Sequence, residues 1–350
     1  MRVIKQLSGF LLLLCMYLCS SCTDDADYTW GVWNRMSDFD GLARGQACSF
    51  TIGNKGYICC GYNGKVMMKD LWVYDIDGNY WTQLSSMPDN APLRYDATAF
   101  AVDGKGYVTT GYNRDMISYL ADTWEYNPNT DTWTQKDDFA GGARSGAIAF
   151  SIGSYGYVGT GYNDNTLKDF YRFNPNASAG SQWEIVNGYG GQKRQHASVF
   201  VINDVAYVCC GLNNSAIPSD FWKFDGTTWT RLMDIVDDGD KTSYDDDRND
   251  GYAIARVQAV TFVIDGKGYI ATGGSTLGSA SKTDYWKYDP STDIWYGDSD
   301  DDYTAFEGTA RYSAVSFSTG KRGFIVTGRS SSYYYEDMWE LLPDVKQDVD

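Results

Sequence analysis

The sequence predicts an all-β protein built from six similar units in one domain. Three octets show the repetition first: "GYICCGYN" at 56–63, "GYVTTGYN" at 106–113 and "GYVGTGYN" at 156–163. After the N-terminal segment, no run of ten or more residues has the apolar spacing of an amphipathic helix. Short β-branched and aromatic runs, separated by Gly, Asn and Asp, predict strands and turns instead.

Each unit contains the same landmarks in the same order, and each landmark predicts one strand or its end. The first strand follows an Arg that has Ala three residues later and Phe six residues later; these arginines are Arg44, Arg94, Arg144, Arg194, Arg256 and Arg311. The second strand holds an aromatic residue with Gly four residues on, as in Tyr57 and Gly61. The third strand begins beside an Asp that lies two residues before an aromatic residue; these aspartates are Asp70, Asp122, Asp169, Asp220, Asp284 and Asp337.

The fourth strand of each unit carries a Trp, and the distribution of these residues predicts how the ring closes. The sixth unit stops at "MWELLP" without such a strand, whereas Trp33 precedes Arg44 by the interval that separates Trp133 from Arg144. We therefore expect the N-terminal strand to complete the last unit. Six four-stranded antiparallel units with a period of about fifty residues predict a six-bladed β-propeller over 30–343.

The ordered set of Arg, Gly, Asp-x-aromatic and Trp resembles the kelch repeat over 30–343. The Gly pair that is usual in that repeat is intact only at Gly273 and Gly274. The resemblance implies a kelch-type propeller similar to the central domain of galactose oxidase. The copper site of that family needs two His ligands, and this chain has only His196, which excludes a copper oxidase of that kind. We interpret His196 as an ordinary rim residue.

The repeated Arg and Asp residues admit two interpretations. Because strands alternate in direction, all twelve should lie on one rim of the propeller, called here the Arg rim. They are interpreted as a structural ring of charge-assisted hydrogen bonds that links the blades. In the alternative, some of the arginines point into the central funnel and bind anionic ligands, as the resemblance to kelch adaptor proteins implies. The regularity favours the structural interpretation, because a binding site rarely needs one residue type in every unit.

The cysteines are predicted to be packing residues. The octet positions of Cys59 and Cys60, and of Cys209 and Cys210 in the fourth unit, are held elsewhere by Thr, Gly, Ala or Val. A position of this kind requires a small side chain rather than a thiol. With Cys48 they make five cysteines, without the spacing of a disulfide framework or a zinc site. No metal or other cofactor is predicted, and calcium in an acidic loop is kept as an alternative.

The first 21 residues resemble a bacterial lipoprotein signal peptide. Arg2 and Lys5 precede the apolar segment "LSGFLLLLCMYL" at 7–18, which is too short to span a bilayer. Cys22 is the predicted lipidated residue at the start of the mature chain. We expect an outer-membrane lipoprotein of the cell envelope that contacts the membrane through its lipid alone. The acidic segment after Cys22 is compatible with a location on the cell surface.

The remaining segments outside the propeller are acidic. A tether is predicted over 22–29 and a tail over 344–350. Loss of Arg2 and Lys5 with the signal peptide changes the formal charge from −17 to −19. Such a charge repels phosphate backbones, so nucleic acid is not expected as a partner, and we expect the propeller to be monomeric.

The candidate ligand site lies where the units differ, since identical units cannot discriminate between ligands. A Tyr loop and a long acidic loop are expected on the Arg rim; their residues, with one further Tyr, are Tyr333, Tyr334, Tyr335, Asp245, Asp246, Asp247 and Tyr119. Tyr beside carboxylates can bind a sugar through its ring face and hydroxyls. We predict a non-catalytic binding module for a glycan or an extracellular protein, with no catalytic residue identified. The alternative is a metal-free sugar-modifying enzyme similar to a sialic acid mutarotase, which also uses a kelch propeller.

Overall fold

The structure is a computed structural model, and it describes residues 28–235, 253–297 and 303–348. Within these ranges the chain forms strands and no helix, so no helix there could cross a membrane. Six antiparallel sheets of four strands form the blades of a propeller, and two short two-stranded ribbons lie in loops. The predicted all-β, six-bladed fold is confirmed.

The blades are numbered along the chain. β1 (Tyr28–Arg35) precedes blade 1, which contains β2 (Cys48–Ile52), β3 (Lys55–Cys59), β4 (Leu71–Asp75) and β5 (Tyr80–Leu84). Blade 2 contains β6 (Thr98–Val102), β7 (Lys105–Thr109), the ribbon of β8 (Tyr112–Asn113) and β9 (Ser118–Tyr119), then β10 (Thr123–Asn127) and β11 (Thr132–Lys136). Blade 3 contains β12 (Ile148–Ile152), β13 (Tyr155–Gly159), β14 (Phe170–Phe173) and β15 (Trp183–Val186).

The second half of the chain repeats this order. Blade 4 contains β16 (Ser198–Ile202), β17 (Val205–Cys209), β18 (Trp222–Phe224) and β19 (Trp229–Arg231). Blade 5 contains β20 (Val260–Ile264), β21 (Lys267–Ala271), β22 (Tyr285–Asp289) and β23 (Ile294–Gly297). Blade 6 contains β24 (Val315–Ser318), β25 (Gly323–Val326), the ribbon of β26 (Arg329–Ser330) and β27 (Tyr333–Tyr334), and β28 (Met338–Asp348).

Strand β1 closes the ring. It pairs antiparallel with β28, with Trp33 opposite Leu341, and gives blade 6 the order β1-β28-β25-β24. The Trp33 side chain is buried against Phe262 and Tyr285 of blade 5. The prediction that the N-terminal strand completes the last blade is therefore confirmed.

The β1–β28 pair is longer than the sequence predicted. Tyr28 lies opposite Asp348, so the strands extend beyond 30–343 into the segments expected to be tether and tail. The Lys346 ammonium lies 3.5 Å from the ring centre of Tyr28 and 5.0 Å from that of Trp30. These cation–π contacts hold the two chain ends together and explain why pairing continues past the blade.

Neighbouring blades interlock through Phe and Gly. In blade 1 the Phe50 ring stacks on Tyr57 with a centroid distance of 4.8 Å. A Cβ added to Gly106 of blade 2 would lie 2.2 Å from the Phe50 ring. Glycine leaves room for this ring, which explains the "KGY" that opens three of the six second strands.

The innermost strands surround a central channel of about 580 Å³. Hydroxyl groups link these strands between blades: Ser151 Oγ donates to the carbonyl of Ala101, and Ser316 Oγ donates to that of Thr261, both at 2.7 Å. Inner-strand carbonyls that no sheet partner reaches are thereby satisfied.

Candidate functional site

Each repeated arginine is buried and forms an ion pair with the repeated aspartate of its own blade. In blade 1, Arg44 Nη1 and Nη2 donate to the two carboxylate oxygens of Asp70 at 2.6 and 2.7 Å. Its Nε donates to the carbonyl of Leu42, and Nη1 also donates to that of Cys60. The corresponding pairs are Arg94–Asp122, Arg144–Asp169, Arg194–Asp220, Arg256–Asp284 and Arg311–Asp337.

The end of the octet provides the backbone for this ion pair. Cys60 has a φ of 66°, a left-handed conformation in which its carbonyl accepts from Arg44. Gly61 follows with a φ of 102°, and a Cβ there would lie 3.0 Å from the carbonyl oxygen of Gly45. Burial alone disfavours the charged form of Asp70, but the hydrogen bonds and charge of Arg44 outweigh it and lower the pKa of Asp70.

The ion pairs join strands within a blade, which corrects the expectation that they link neighbouring blades. Arg44 precedes the first strand and Asp70 precedes the third strand of the same sheet, so the Arg44–Asp70 ion pair joins two strands of one blade. Other groups link the blades on this rim, among them the Gly61 N–H, which donates to the carbonyl of Arg94 in the next blade at 3.0 Å. Because the guanidinium of Arg44 is fully buried and bonded, the contacts favour the structural interpretation over a ligand role.

Six residues, five of which have a polar side chain, form the surface at the Arg-rim end of the channel, called here the funnel floor. They occupy the second position after each arginine: Gln46, Asp96, Gly146, His196, Gln258 and Ser313, all with φ between 50° and 60°. With the alanines that follow them, they line a cavity of about 120 Å³. Backbone hydrogen bonds run from blade to blade around this ring, for example from His196 N–H to the Gly146 carbonyl and from Gly146 N–H to Asp96.

Asp96 is the acidic group of the funnel floor. Its Oδ2 accepts a hydrogen bond from Gln46 Nε2 at 2.7 Å and lies 3.9 Å from His196 Nε2. Burial raises the pKa of Asp96, although His196, Gln46 and Arg329 each act in the opposite direction. The floor therefore holds a carboxyl group that keeps a proton more readily than an exposed Asp, beside an imidazole.

Five tyrosines form a continuous row beside the floor, called here the tyrosine arc: Tyr62, Tyr95, Tyr112, Tyr119 and Tyr162. Successive ring centres are 5.6, 5.7, 5.1 and 6.1 Å apart, so the rings touch across blades 1, 2 and 3. Tyr95 directly precedes Asp96, and burial with the charge of Asp96 raises the pKa of Tyr95 to about 12. All five rings are partly exposed, and Tyr95 adjoins Asp96 of the funnel floor.

The structure distributes the predicted Tyr residues over different environments. Tyr119 belongs to the tyrosine arc, and its hydroxyl donates to Asp164 at 3.3 Å. Tyr333 is exposed, at 65 % of its surface. Tyr334 packs beside Arg329 and Gly64. The Tyr335 ring lies 4.3 Å from the guanidinium carbon of Arg311 and thus covers a buried ion pair.

Several predicted residues lie outside the described ranges. Cys22 precedes the first range, and Asp245, Asp246 and Asp247 fall between the first and second. Among the residues that the structure does describe, no three His, Cys, Asp or Glu side chains are grouped to hold a metal ion. The calcium alternative concerned the acidic loop and stays a prediction.

The five cysteines of the propeller are free thiols in buried positions. Cys59 Sγ and Cys60 Sγ lie 3.3 Å apart, and Cys60 Sγ is 3.6 Å from the Met87 sulfur. Burial raises the pKa of Cys59, so this thiol stays protonated and unreactive.

Sequence reasoning missed the funnel floor, although it contained a signal. The third position after each repeated arginine is always Ala, while the second varies among Gln, Asp, Gly, His and Ser. Variation of the side chain at a fixed backbone position indicates a surface that can discriminate between ligands. Nothing in the sequence showed, however, that Asp96 and His196 meet, because they are one hundred residues apart and blade 3 lies between them.

Comparisons with known proteins agree with the propeller fold. A family model described as the KLHDC2/KLHL20/DRC7 Kelch-repeats domain matches residues 26–211. A comparison with curated proteins found no match. Among solved structures, one described as "Structure of YjhT" superimposes with a TM-score of 0.67 at 16% sequence identity, covering 87% of this chain and 95% of that one. At this identity the likeness shows the fold alone.

Proposed function

This chain belongs to the KLHDC2/KLHL20/DRC7 Kelch-repeats family, and we propose that it is a carbohydrate-binding module whose site is the funnel on the Arg rim. The tyrosine arc carries the proposal. Its rings form a curved aromatic surface next to the polar funnel floor. Aromatic faces pack against the apolar faces of pyranose rings, while amide, hydroxyl and carboxylate groups such as Gln46, Ser313 and Asp96 bind sugar hydroxyls.

The repeated arginines do not compete with this site, since they are buried in their ion pairs. The residues that face the funnel are those that differ between blades: three blades contribute the tyrosine arc, while Leu212 and Gly274 occupy the positions in blades 4 and 5 that correspond to Tyr62. The aromatic surface is therefore continuous over blades 1 to 3 and interrupted at blades 4 and 5, which gives the site a direction.

The test is a glycan array with the domain from residue 28 onwards, followed by calorimetric titration of the best glycan. Tyr95→Ala and Tyr112→Ala should each weaken binding about tenfold or more, because each removes a stacking surface. Tyr80→Ala is the control, since Tyr80 is an exposed tyrosine of β5, at 54 % of its surface, outside the funnel. Unchanged affinity in both arc variants would contradict the proposal.

A second candidate function is sugar anomer interconversion, and the Asp96–His196 pair favours it. Opening a hemiacetal requires one group to take the proton of the anomeric hydroxyl and another to protonate the ring oxygen. The His196 imidazole can accept the first proton, and the raised pKa of Asp96 favours this carboxyl as the group that supplies the second. Sialic acid is the first substrate to try. Magnetisation-transfer NMR between its anomers measures the rate, which Asp96→Asn and His196→Gln should return to the uncatalysed value while Tyr80→Ala does not.

The envelope location is also a proposal, and it depends on Cys22. A lipid on this residue would tether the propeller by the short segment before β1. Radiolabelled palmitate should be incorporated into the wild-type protein and not into a Cys22→Ser variant. Equal labelling of both proteins would contradict lipidation at this residue.

A further inference from the structure

Two arginines differ from all others in the described part of the chain. That part contains twelve arginines, and ten of them form an ion pair with Asp or Glu. The exceptions are Arg114 and Arg329, although the whole chain has 46 acidic residues. Both lie at the funnel, so the only arginines left without a carboxylate partner in the described ranges occupy the proposed binding site.

Arg114 is held on the tyrosine arc. Its guanidinium carbon lies 5.7 Å from the ring centre of Tyr62, and Nη1 donates to the Tyr62 hydroxyl. Its backbone N–H contacts the Met67 sulfur at 3.3 Å, which fixes the blade 2 ribbon against blade 1. The residue is exposed, so a ligand can reach the guanidinium.

Arg329 is held by two tyrosines of blade 6. Its guanidinium carbon lies 4.7 Å from the ring centre of Tyr334 and 5.3 Å from that of Tyr312. Tyr334 in turn packs on Gly64, whose carbonyl accepts a hydrogen bond from the Tyr62 hydroxyl. The Nε–H of Arg329 is buried and has no hydrogen-bond partner in the described structure.

An unpaired arginine on aromatic faces is pre-organised for an anion. The rings hold the guanidinium plane. Arg114 Nη1 donates to the Tyr62 hydroxyl and Arg329 Nη2 to the Ser331 carbonyl, which leaves other N–H groups of each guanidinium from which a carboxylate or sulfate can accept two hydrogen bonds at once. The chain is strongly negative and supplies a carboxylate partner to each of the other ten arginines. A purely structural role for Arg114 and Arg329 would be expected to bring them a carboxylate partner as well.

We propose that Arg114 and Arg329 bind acidic groups of an oligosaccharide that carries carboxylates or sulfates. This inference rests on the proposed carbohydrate function and specifies its ligand class. Tyr62 contacts Arg114 directly and is connected to Arg329 through Gly64 and Tyr334, so a sugar bound on this surface would direct one acidic group towards each arginine. The group that the two arginines would recognise is an anionic substituent on a sugar. Either the carboxylate of a uronic acid or a sulfate ester can supply it.

The test compares trigalacturonic acid with its fully methyl-esterified form, which keeps the sugar and linkage but removes the charge. The wild-type protein should bind the acid at least about tenfold more tightly than the ester, and added NaCl should reduce that advantage. A sulfated galactose oligosaccharide, compared with its desulfated form, tests the second source. Preference for the acid, for the sulfated sugar or for both supports the inference and identifies the source.

Single substitutions test whether the preference for the anionic ligand depends on Arg114 and Arg329. Arg114→Gln and Arg329→Gln should each lower affinity for the anionic ligand about tenfold and leave affinity for its uncharged form unchanged. Arg231→Gln is the matched control, because Arg231 lies in β19 away from the funnel. Arg329→Lys keeps the charge and should retain part of the affinity, which separates a lost contact from a folding defect.

The outcomes distinguish this inference from the proposed function. Equal binding of charged and uncharged forms, or binding of neutral glycans alone, overturns the anionic assignment and leaves a carbohydrate-binding module. Absence of binding to every glycan on the array contradicts both. Loss of affinity in Arg231→Gln equal to that in the funnel variants would show a general charge effect and would also overturn the inference.

Discussion

His196 reaches Asp96 across Gly146. The imidazole Nε2 lies 3.9 Å from the Asp96 carboxylate, two blades away, and a Cβ on Gly146 would lie only 2.9 Å from the same nitrogen. Gly146 is the one member of the funnel floor without a side chain, and it leaves the space that the imidazole occupies. The acid and the imidazole thus meet because the intervening blade carries a glycine at this position.

We expect Asp96→Asn to stabilise the protein at neutral pH while it abolishes ligand binding or turnover. Burial makes the ionised carboxylate unfavourable in the folded state, and the amide removes that cost while keeping a partner for Gln46. The gain should be about 1 kcal/mol in urea-induced unfolding at pH 7. A loss of stability in this variant would show that the carboxylate is a structural group.

The pH dependence of the same variant has a defined sign. The folded-state pKa of Asp96 is raised above that of the unfolded chain, so the folded protein binds more protons between the two values. The Asp96 contribution to stability therefore falls as pH rises from about 4 through the folded-state pKa. The stability difference between Asp96→Asn and wild type should grow over this interval and vanish below it. A difference independent of pH would contradict the assignment.

Arg144→Ala should cost about 3–5 kcal/mol of unfolding free energy, because it leaves the Asp169 carboxylate and the Thr160 carbonyl without their buried partner. Arg172→Ala is the control. Arg172 pairs with Glu184 on the blade surface, so its removal should cost about 1 kcal/mol or less. Similar effects in the two variants, measured by chemical denaturation, would rule out a structural role for the buried pair.

The fold was predictable from the sequence because every blade repeats contacts made inside one unit. Arg44, the octet and Asp70 meet within fifty residues, so their spacing carries the information. Contacts between blades are different. The Gly106 position is small because Phe50 of the preceding blade fills the space, and the tyrosine arc exists only when three blades stand side by side. Contacts of this kind depend on the closure of the ring and on the directions of side chains. The sequence repeat predicts the closure, but it does not predict the side-chain directions.

The thiols should tolerate replacement. Cys60→Thr and Cys210→Thr should each change stability by about 1 kcal/mol or less, since Thr110 already occupies the equivalent place in blade 2 and the two side chains are similar in size. Thiol titration of the unfolded, non-reduced mature domain should find all five propeller cysteines free. Two missing thiols would reveal a disulfide.

Deletion of residues 28–36 should destabilise the whole propeller. The deletion removes β1, exposes the edge of β28 and uncovers the pocket that Trp33 fills between blades 5 and 6. Open strand edges template association between chains, so aggregation should accompany a lowered melting temperature. Trp33→Ala separates the two effects, because it empties the pocket and keeps the strand. A deletion variant that melts like the intact domain and stays monomeric would contradict closure by β1.

The tyrosines at 333–335 should divide into a stability group and a binding group. Tyr335→Ala uncovers the buried Arg311 guanidinium and removes the hydroxyl contact with Ser330, so it should cost about 2 kcal/mol. Tyr333→Ala changes an exposed side chain and should alter stability by less than about 0.5 kcal/mol. Tyr334→Ala removes one of the two rings that hold Arg329, so it should weaken binding of an acidic glycan more than that of a neutral one. Thermal melts and titrations of the three single variants measure these effects. A uniform loss of stability across all three would show that the loop is a single packing element, whereas a uniform loss of binding would place the ligand on the loop tip itself.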